Sequence, residues 1–142
     1  MRQVFFTEEG WPVVSPQRYT GSMSRKFSDI DLLGEWEVLR VREPLYERRL
    51  ESGQILWGEG ELKNEEWNLS HTFFFRKGNK TADGKGHWRF AEEKQSLSFT
   101  LDGEELKGLI VFAGHDWENE TETILFTGLD SRGRSVWGKR IK

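Results

Sequence analysis

The chain has 142 residues, with 21 Lys+Arg against 24 Asp+Glu, seven Trp, ten Phe and no Cys. That is one domain's worth of chain, and the near-neutral balance excludes a nucleic-acid footprint, which needs a clear basic excess. The absence of cysteine excludes disulfides, thiolate catalysis and Cys-ligated zinc, and no apolar run approaches the roughly 18 residues of a membrane span. The opening, Met1 to Glu9, has no apolar signal core. An aromatic content of 13% marks a globular chain despite a mean hydropathy of -0.72.

In chain order, residues 1–28 read as an extended N-terminal arm. The polar stretch from Ser22 to Asp31 forms a linker or loop between it and a β-domain over 29–142. Eight short runs rich in Val, Ile, Phe, Trp and Thr then follow as strands: Trp36–Arg42, Gln54–Lys63, Leu69–Arg76, Lys85–Phe90, Ser96–Leu101, Leu106–Phe112, Glu122–Thr127 and Arg134–Ile141. Several alternate with period two. Leu97, Phe99 and Leu101 share one face against Ser98 and Thr100, and Ile124 and Phe126 oppose Thr123 and Thr127. One dry face and one wet face is the pattern of an antiparallel sheet. The connectors Lys77-Gly78-Asn79, Ala82-Asp83-Gly84, Asp102-Gly103 and Asp130-Ser131-Arg132-Gly133 carry the residues that tight hairpin turns demand. The expected fold is all-β: an eight-stranded, mostly antiparallel barrel, because closure hides the edges that such aromatic strands would expose.

Motifs of chemistry are scarce. His71, His87 and His115 show no metal-ligand spacing, so neither a metal site nor a cofactor is expected. No Gly-x-Ser-x-Gly elbow and no Gly-rich phosphate loop occurs. The doublets Glu8-Glu9, Glu65-Glu66, Glu92-Glu93 and Glu104-Glu105 point apart on loops or strands, whereas a glycosidase needs two carboxyls facing across a cleft. Seven Trp exceed what one small core uses. Trp117, within Gly114–Glu120, and Trp67, within Lys63–Asn68, lie in polar loops. A flat ring beside Asp116 and Asn119 suits stacking on a sugar face, with those side chains bonding hydroxyls. The competing reading is a Trp folded back as a lid on the core.

Two segments carry a family likeness. Phe6–Tyr19, containing Gly10-Trp11-Pro12-Val13-Val14-Ser15-Pro16, resembles the strand that ends the catalytic propeller of glycoside hydrolase family 43 arabinan endo-1,5-α-L-arabinanases. The remainder resembles the small C-terminal β-domain of those enzymes. It does so through Gly34-Glu35-Trp36, Asp83-Gly84 with Gly86-His87-Trp88, Ser96–Leu101, Gly108–Phe112, Asp116-Trp117-Glu118-Asn119 and Ser135-Val136-Trp137-Gly138-Lys139. Nothing in the sequence matches the propeller that bears the catalytic carboxylates, so no catalytic residue carries over. The resemblance implies a C-terminal domain alone, as a fragment or a truncated reading frame. A looser likeness to lipocalin-type barrels rests on Gly34-x-Trp36, with Arg140 placed to stack on that Trp and close the barrel bottom.

The function expected from this resemblance is a non-catalytic accessory domain of an arabinanase-like glycosidase, with carbohydrate binding through Trp117, Asp116, Asn119 and Trp67. The alternatives are a structural module docking on a propeller and a small-ligand barrel. The expected partners are arabinan or another plant polysaccharide, a propeller domain, or a second copy through the arm, with no nucleic acid and no membrane. The compartment stays open: cytoplasmic for a stand-alone chain, extracellular for a piece of a secreted glycosidase.

Overall fold

A computed structural model describes residues 1–21, 24–41, 48–49, 55–56, 70–81, 84 and 86–141. The strands are β1 (Arg2–Phe6), β2 (Pro12–Arg18), β3 (Gly34–Arg40), β4 (Arg48–Arg49), β5 (Ile55–Leu56), β6 (Ser70–Arg76), β7 (Lys80–Thr81), β8 (Trp88–Ala91), β9 (Ser96–Leu101), β10 (Glu104–Asp116), β11 (Thr121–Leu129) and β12 (Ser135–Arg140). Eight of them form one antiparallel sheet in the order β7-β6-β3-β12-β11-β10-β9-β8. A bridge between Lys80 and His87 brings its two edges together, backed by Thr81 N–H to Gly86 O at 3.2 Å and Trp88 N–H to Asn79 O at 2.9 Å. The sheet is therefore a nearly closed barrel, as the strand pattern leads one to expect. Its membership differs in one place. The eighth strand is the two-residue β7, too short to show periodicity, whereas the expected strand Gln54–Lys63 falls mostly outside the described residues. There, β4 and β5 pair in a small ladder of their own.

Alternation builds the core. In β9 the burial pattern strictly alternates, and Leu97, Phe99 and Leu101 point inward. Across the interior, the rings of Trp36, Phe75, Trp88, Phe99 and Phe126 pack with centroids 5.1–5.7 Å apart, so side chains fill the barrel. Burying each ring removes roughly 150–250 Å² from water, worth about 4–6 kcal/mol gross at ~25 cal/mol/Å². Such a crowd leaves no room at Gly138, where an added Cβ would stand 2.0 Å from the Phe126 ring. The β9–β10 turn places Asp102 and Gly103 at φ 50° and 76°, the positive values that a type I′ hairpin requires.

One barrel end is closed by α1 (Asp29–Leu32), a single turn inside the stretch expected to be loop. Its start is a capping box: Ser28 N–H donates to Asp31 Oδ2 at 2.9 Å, and the Ser28 hydroxyl meets the same oxygen at 3.2 Å. Leu32 is fully buried, its carbonyl accepts the Trp36 indole N–H at 2.8 Å, and the Arg140 guanidinium donates twice to Leu33 O. Arg140 thus helps close the bottom through a backbone carbonyl. The Gln95 amide ties down the chain just before α1 by bonding both Phe27 N–H and Phe27 O.

The N-terminal segment folds back as a hairpin on the outer wall formed by β10, β11 and β12. Val4 pairs with Val14, Phe5 with Val13 and Phe6 with Pro12. Alternation gives the hairpin two unlike faces. Val13 and Ser15 are buried against the barrel, the Phe5 ring lies 4.5 Å from that of Phe112, and the Thr127 hydroxyl donates to Val14 O at 2.7 Å.

Candidate functional site

The outer face of the hairpin is the first feature that the barrel does not need. Val4, Phe6, Trp11 and Val14 are exposed to between 38% and 68%, and Tyr19 beyond them to 47%. Register places Val4 beside Val14 and Phe6 beside Pro12, so these four side chains form one apolar strip, with Trp11 exposed next to Pro12 at the hairpin tip. The tip is held by Thr7, whose N–H donates to Trp11 O and whose hydroxyl accepts Trp11 N–H.

The second feature lies where side chains of β10 and β12 meet across the intervening β11. β10 runs four residues beyond its expected end, so Gly114, His115 and Asp116 are strand, and only residues 117–120 turn. Asp116 is consequently buried, at 2% exposure. Its carboxylate accepts Lys139 Nζ at 3.1 Å, Asn119 Nδ2 at 2.7 Å and the amides of Glu118 and Asn119. Burial pushes the Asp116 carboxyl up, but the Asn119 and Lys139 hydrogen bonds and the Glu118 amide outweigh it and hold it below its ordinary value. Lys139 is drawn down by burial and pulled up more strongly by Glu118 and Asp116, so it stays protonated. Glu118 Oε2 at 2.9 Å and Glu37 Oε2 at 3.5 Å complete its cage.

Trp117 sits at the start of the turn, 41% exposed. The Arg18 guanidinium lies 4.8 Å from its ring centroid, its indole N–H donates to Arg18 O at 3.3 Å, and His115 meets it edge-on at 4.9 Å. The structure therefore brings Trp117, Asp116 and Asn119 together. Asp116 is spent on fixing the turn, and one face of Trp117 carries an arginine. Trp67 lies outside the described residues. A separate ion-pair cluster ties Asp130 to Arg134 and Arg40 at the opposite end of β12.

Sequence reasoning missed Lys139, Trp137 and the two-faced hairpin. Alternation from the inward Val136 sends Trp137 and Lys139 outward, which is the signal that was available. A groove of about 260 Å³ opens there between β2 and the barrel wall. A wider recess of about 800 Å³ lies by α1, lined in part by Arg25, Ile30, Glu122 and Arg140.

A family model described as a C-terminal lipocalin-like domain of glycoside hydrolase family 43 matches residues 16–138. The chain belongs to this family. It is similar to the extracellular endo-α-(1→5)-L-arabinanase 2 of Bacillus subtilis, 25% identical over 99% of this chain and 26% of that one. The extracellular endo-α-(1→5)-L-arabinanase of Thermotoga petrophila is 24% identical over 100% of this chain and 27% of its own length. Among solved structures, the family 43 protein YxiA of Bacillus licheniformis superposes with a TM-score of 0.71 at 22% identity. The Thermotoga petrophila endo-1,5-α-L-arabinanase does so at 0.70 and 19%. Both superpositions cover 99% of this chain, hairpin included, and 28% of the other chain. The family 43 C-terminal domain thus spans about a quarter of the length of the relatives it matches.

Proposed function

We propose that this domain is the non-catalytic accessory part of an arabinanase-like glycosidase, and that it seats on the rest of such an enzyme through the outer face of its N-terminal hairpin. The observation that carries the reading is that face. Phe6 at 68% exposure lies in an apolar strip with Val4, Pro12 and Val14, and Trp11 at 64% is exposed at the hairpin tip; exposed apolar surface of this kind marks an interaction site. The hairpin's other face is already anchored to the barrel, so the hairpin is a fixed platform. Its partner is supported by length: the relatives carry about three times as much additional chain, and their names state that they act on arabinan. Trp117 favours carbohydrate binding as a second reading, because an exposed indole on a rigid turn offers a stacking edge.

The test is a chimera in which this chain replaces the C-terminal quarter of the Bacillus subtilis arabinanase. Docking predicts one cooperative unfolding transition. Phe6→Asp with Trp11→Asp should split it in two while leaving the melting temperature of the isolated chain within a few degrees. Separate transitions in the unmutated chimera would overturn the docking reading. The isolated chain should release no reducing sugar from linear arabinan; release that follows the protein peak through repurification would overturn the non-catalytic reading.

A further inference from the structure

We propose that the groove between β2 and the barrel wall, bounded by Gln17, Glu37, Glu118, Trp137 and Lys139, binds a neutral saccharide, one or two pentose rings of an arabinan-type chain. The kind of sugar rests on the reading above; the site rests on its own geometry. At about 260 Å³ the groove is slightly smaller than the roughly 300–1,000 Å³ of drug-sized pockets, which suits a mono- or disaccharide.

Its chemistry is that of a polyol site. One wall is the partly exposed Trp137 indole. Around it stand groups that accept and groups that donate. Glu118 engages Lys139 through Oε2 and keeps Oε1, and the side-chain amide of Gln17 has no partner among the described residues. Arg2 donates to Ser15 O at 3.3 Å, lies 5.8 Å from the Trp137 ring centroid and keeps further N–H groups. Sugar hydroxyls both donate and accept, so a mixed set serves them. The charges cancel, with Arg2 and Lys139 against Glu37 and Glu118, which favours a neutral ligand over an anionic one. The set is also rigid: Glu37 is fixed by the Ser70 hydroxyl at 2.6 Å and by Lys139, and Lys139 by Asp116.

The Trp137 indole is also set apart from the others by its N–H. The indole N–H groups of Trp36, Trp88 and Trp117 each donate to a carbonyl. The buried N–H of Trp137 meets no acceptor among the described residues. Such orphaned donors are rare in folded proteins; this one marks the Trp137 edge as unsatisfied, although the N–H itself is shut off from the groove in the unliganded chain. Arg2 and Arg18 are cross-strand partners, and their guanidinium groups lie over Trp137 and Trp117 respectively. The wider recess beside α1 has both charges but no exposed aromatic wall, since Phe27 is 3% exposed, and it specifies no sugar.

The test is titration of the isotopically labelled 142-residue chain with arabinotriose, reading the indole N–H signals of Trp137 and Trp117 separately. The expected result is a saturable shift of Trp137 with Kd on the order of 0.1–1 mM. Gln17→Ala and Glu37→Gln should each weaken it about threefold or more, with an unchanged melting temperature, because Lys139 keeps Asp116 and Glu118. Trp137→Phe should weaken it about tenfold, read on backbone signals of β12. Trigalacturonate should bind no better; tighter binding would overturn the neutral class. Shifts centred on Trp117 and insensitive to Gln17→Ala would overturn the groove in favour of the turn. An absence of saturation into the tens of millimolar would overturn it too, and would leave the unfolding of the chimera, and so the docking reading, standing.

Discussion

Replacing Lys139 by methionine tests the account of the ion pair between β12 and β10. The ammonium is 8% exposed and its principal partner Asp116 3%. Removing it leaves a buried carboxylate with Asn119 and two amides but no counter-charge. Breaking a buried pair from one side costs about 3–5 kcal/mol, and the remaining donors place this case near 3. For a chain of 142 residues that corresponds to a melting temperature lower by about 10 °C. The pH dependence supplies a signature. In the native protein the Asp116 carboxyl is held low, so its contribution is present above the unfolded value of about 3.9 and is lost as the pH falls through the folded one. Lys139 is held high, so its contribution is present below about 10.4 and is lost as the pH rises through the folded value. In Lys139→Met the lowering by Lys139 is gone and the carboxyl moves up from its place in the native protein. The variant's folded state then takes up a proton more readily than the native one's, and the deficit shrinks as the pH falls into the carboxylate range. Adding Asp116→Asn should restore part of the loss at pH 7. Urea unfolding followed by tryptophan fluorescence reads all three. A deficit under about 1 kcal/mol, or one that does not change with pH, would show the pair to be a screened surface contact.

Three further outcomes follow from the packing. Gly138→Ala drives a methyl into the Phe126 ring at 2.0 Å, and should cost about 3 kcal/mol or abolish the cooperative transition seen by circular dichroism. Phe5→Ala removes the ring seated on Phe112, and should cost about 3 kcal/mol locally; hydrogen exchange should then show β2 amides losing protection while β9 and β10 keep theirs. Trp117→Ala should leave the melting temperature within a few degrees, because the side chain is 41% exposed, while abolishing whatever arabino-oligosaccharide binding uses the turn. A loss of 3 kcal/mol or more would make Trp117 part of the core.

The barrel was legible wherever one face is dry and the other wet. Ser96–Leu101 has the observed bounds of β9, and the Asp102-Gly103 turn follows from the φ values that only such residues adopt readily. Gly34-x-Trp36 marked a first strand whose Trp is fully buried. The end of β10 was not legible, because its polar side chains sit in a strand that finds partners 23 residues away at Lys139. No local pattern announces such a pair. The same limit applies to α1, a single turn without a periodic stripe. In the arm, outward Val4 and Phe6 alternate with inward Phe5, but both faces are apolar, so composition hid the difference. Of the candidate site, Trp117, Asp116 and Asn119 were found as a local cluster. Gln17, Glu37 and Trp137 meet only because β12 pairs with β3 and the N-terminal hairpin packs over them, contacts far apart in sequence.

The most direct test of the docking account is hydroxyl-radical footprinting of Phe6, Trp11, Tyr19 and Trp117, comparing the isolated chain with the arabinanase chimera. The account predicts strong protection of Phe6 and Trp11 in the chimera, with Trp117 labelled equally in both. Equal labelling of Phe6 and Trp11 in the two proteins would contradict it.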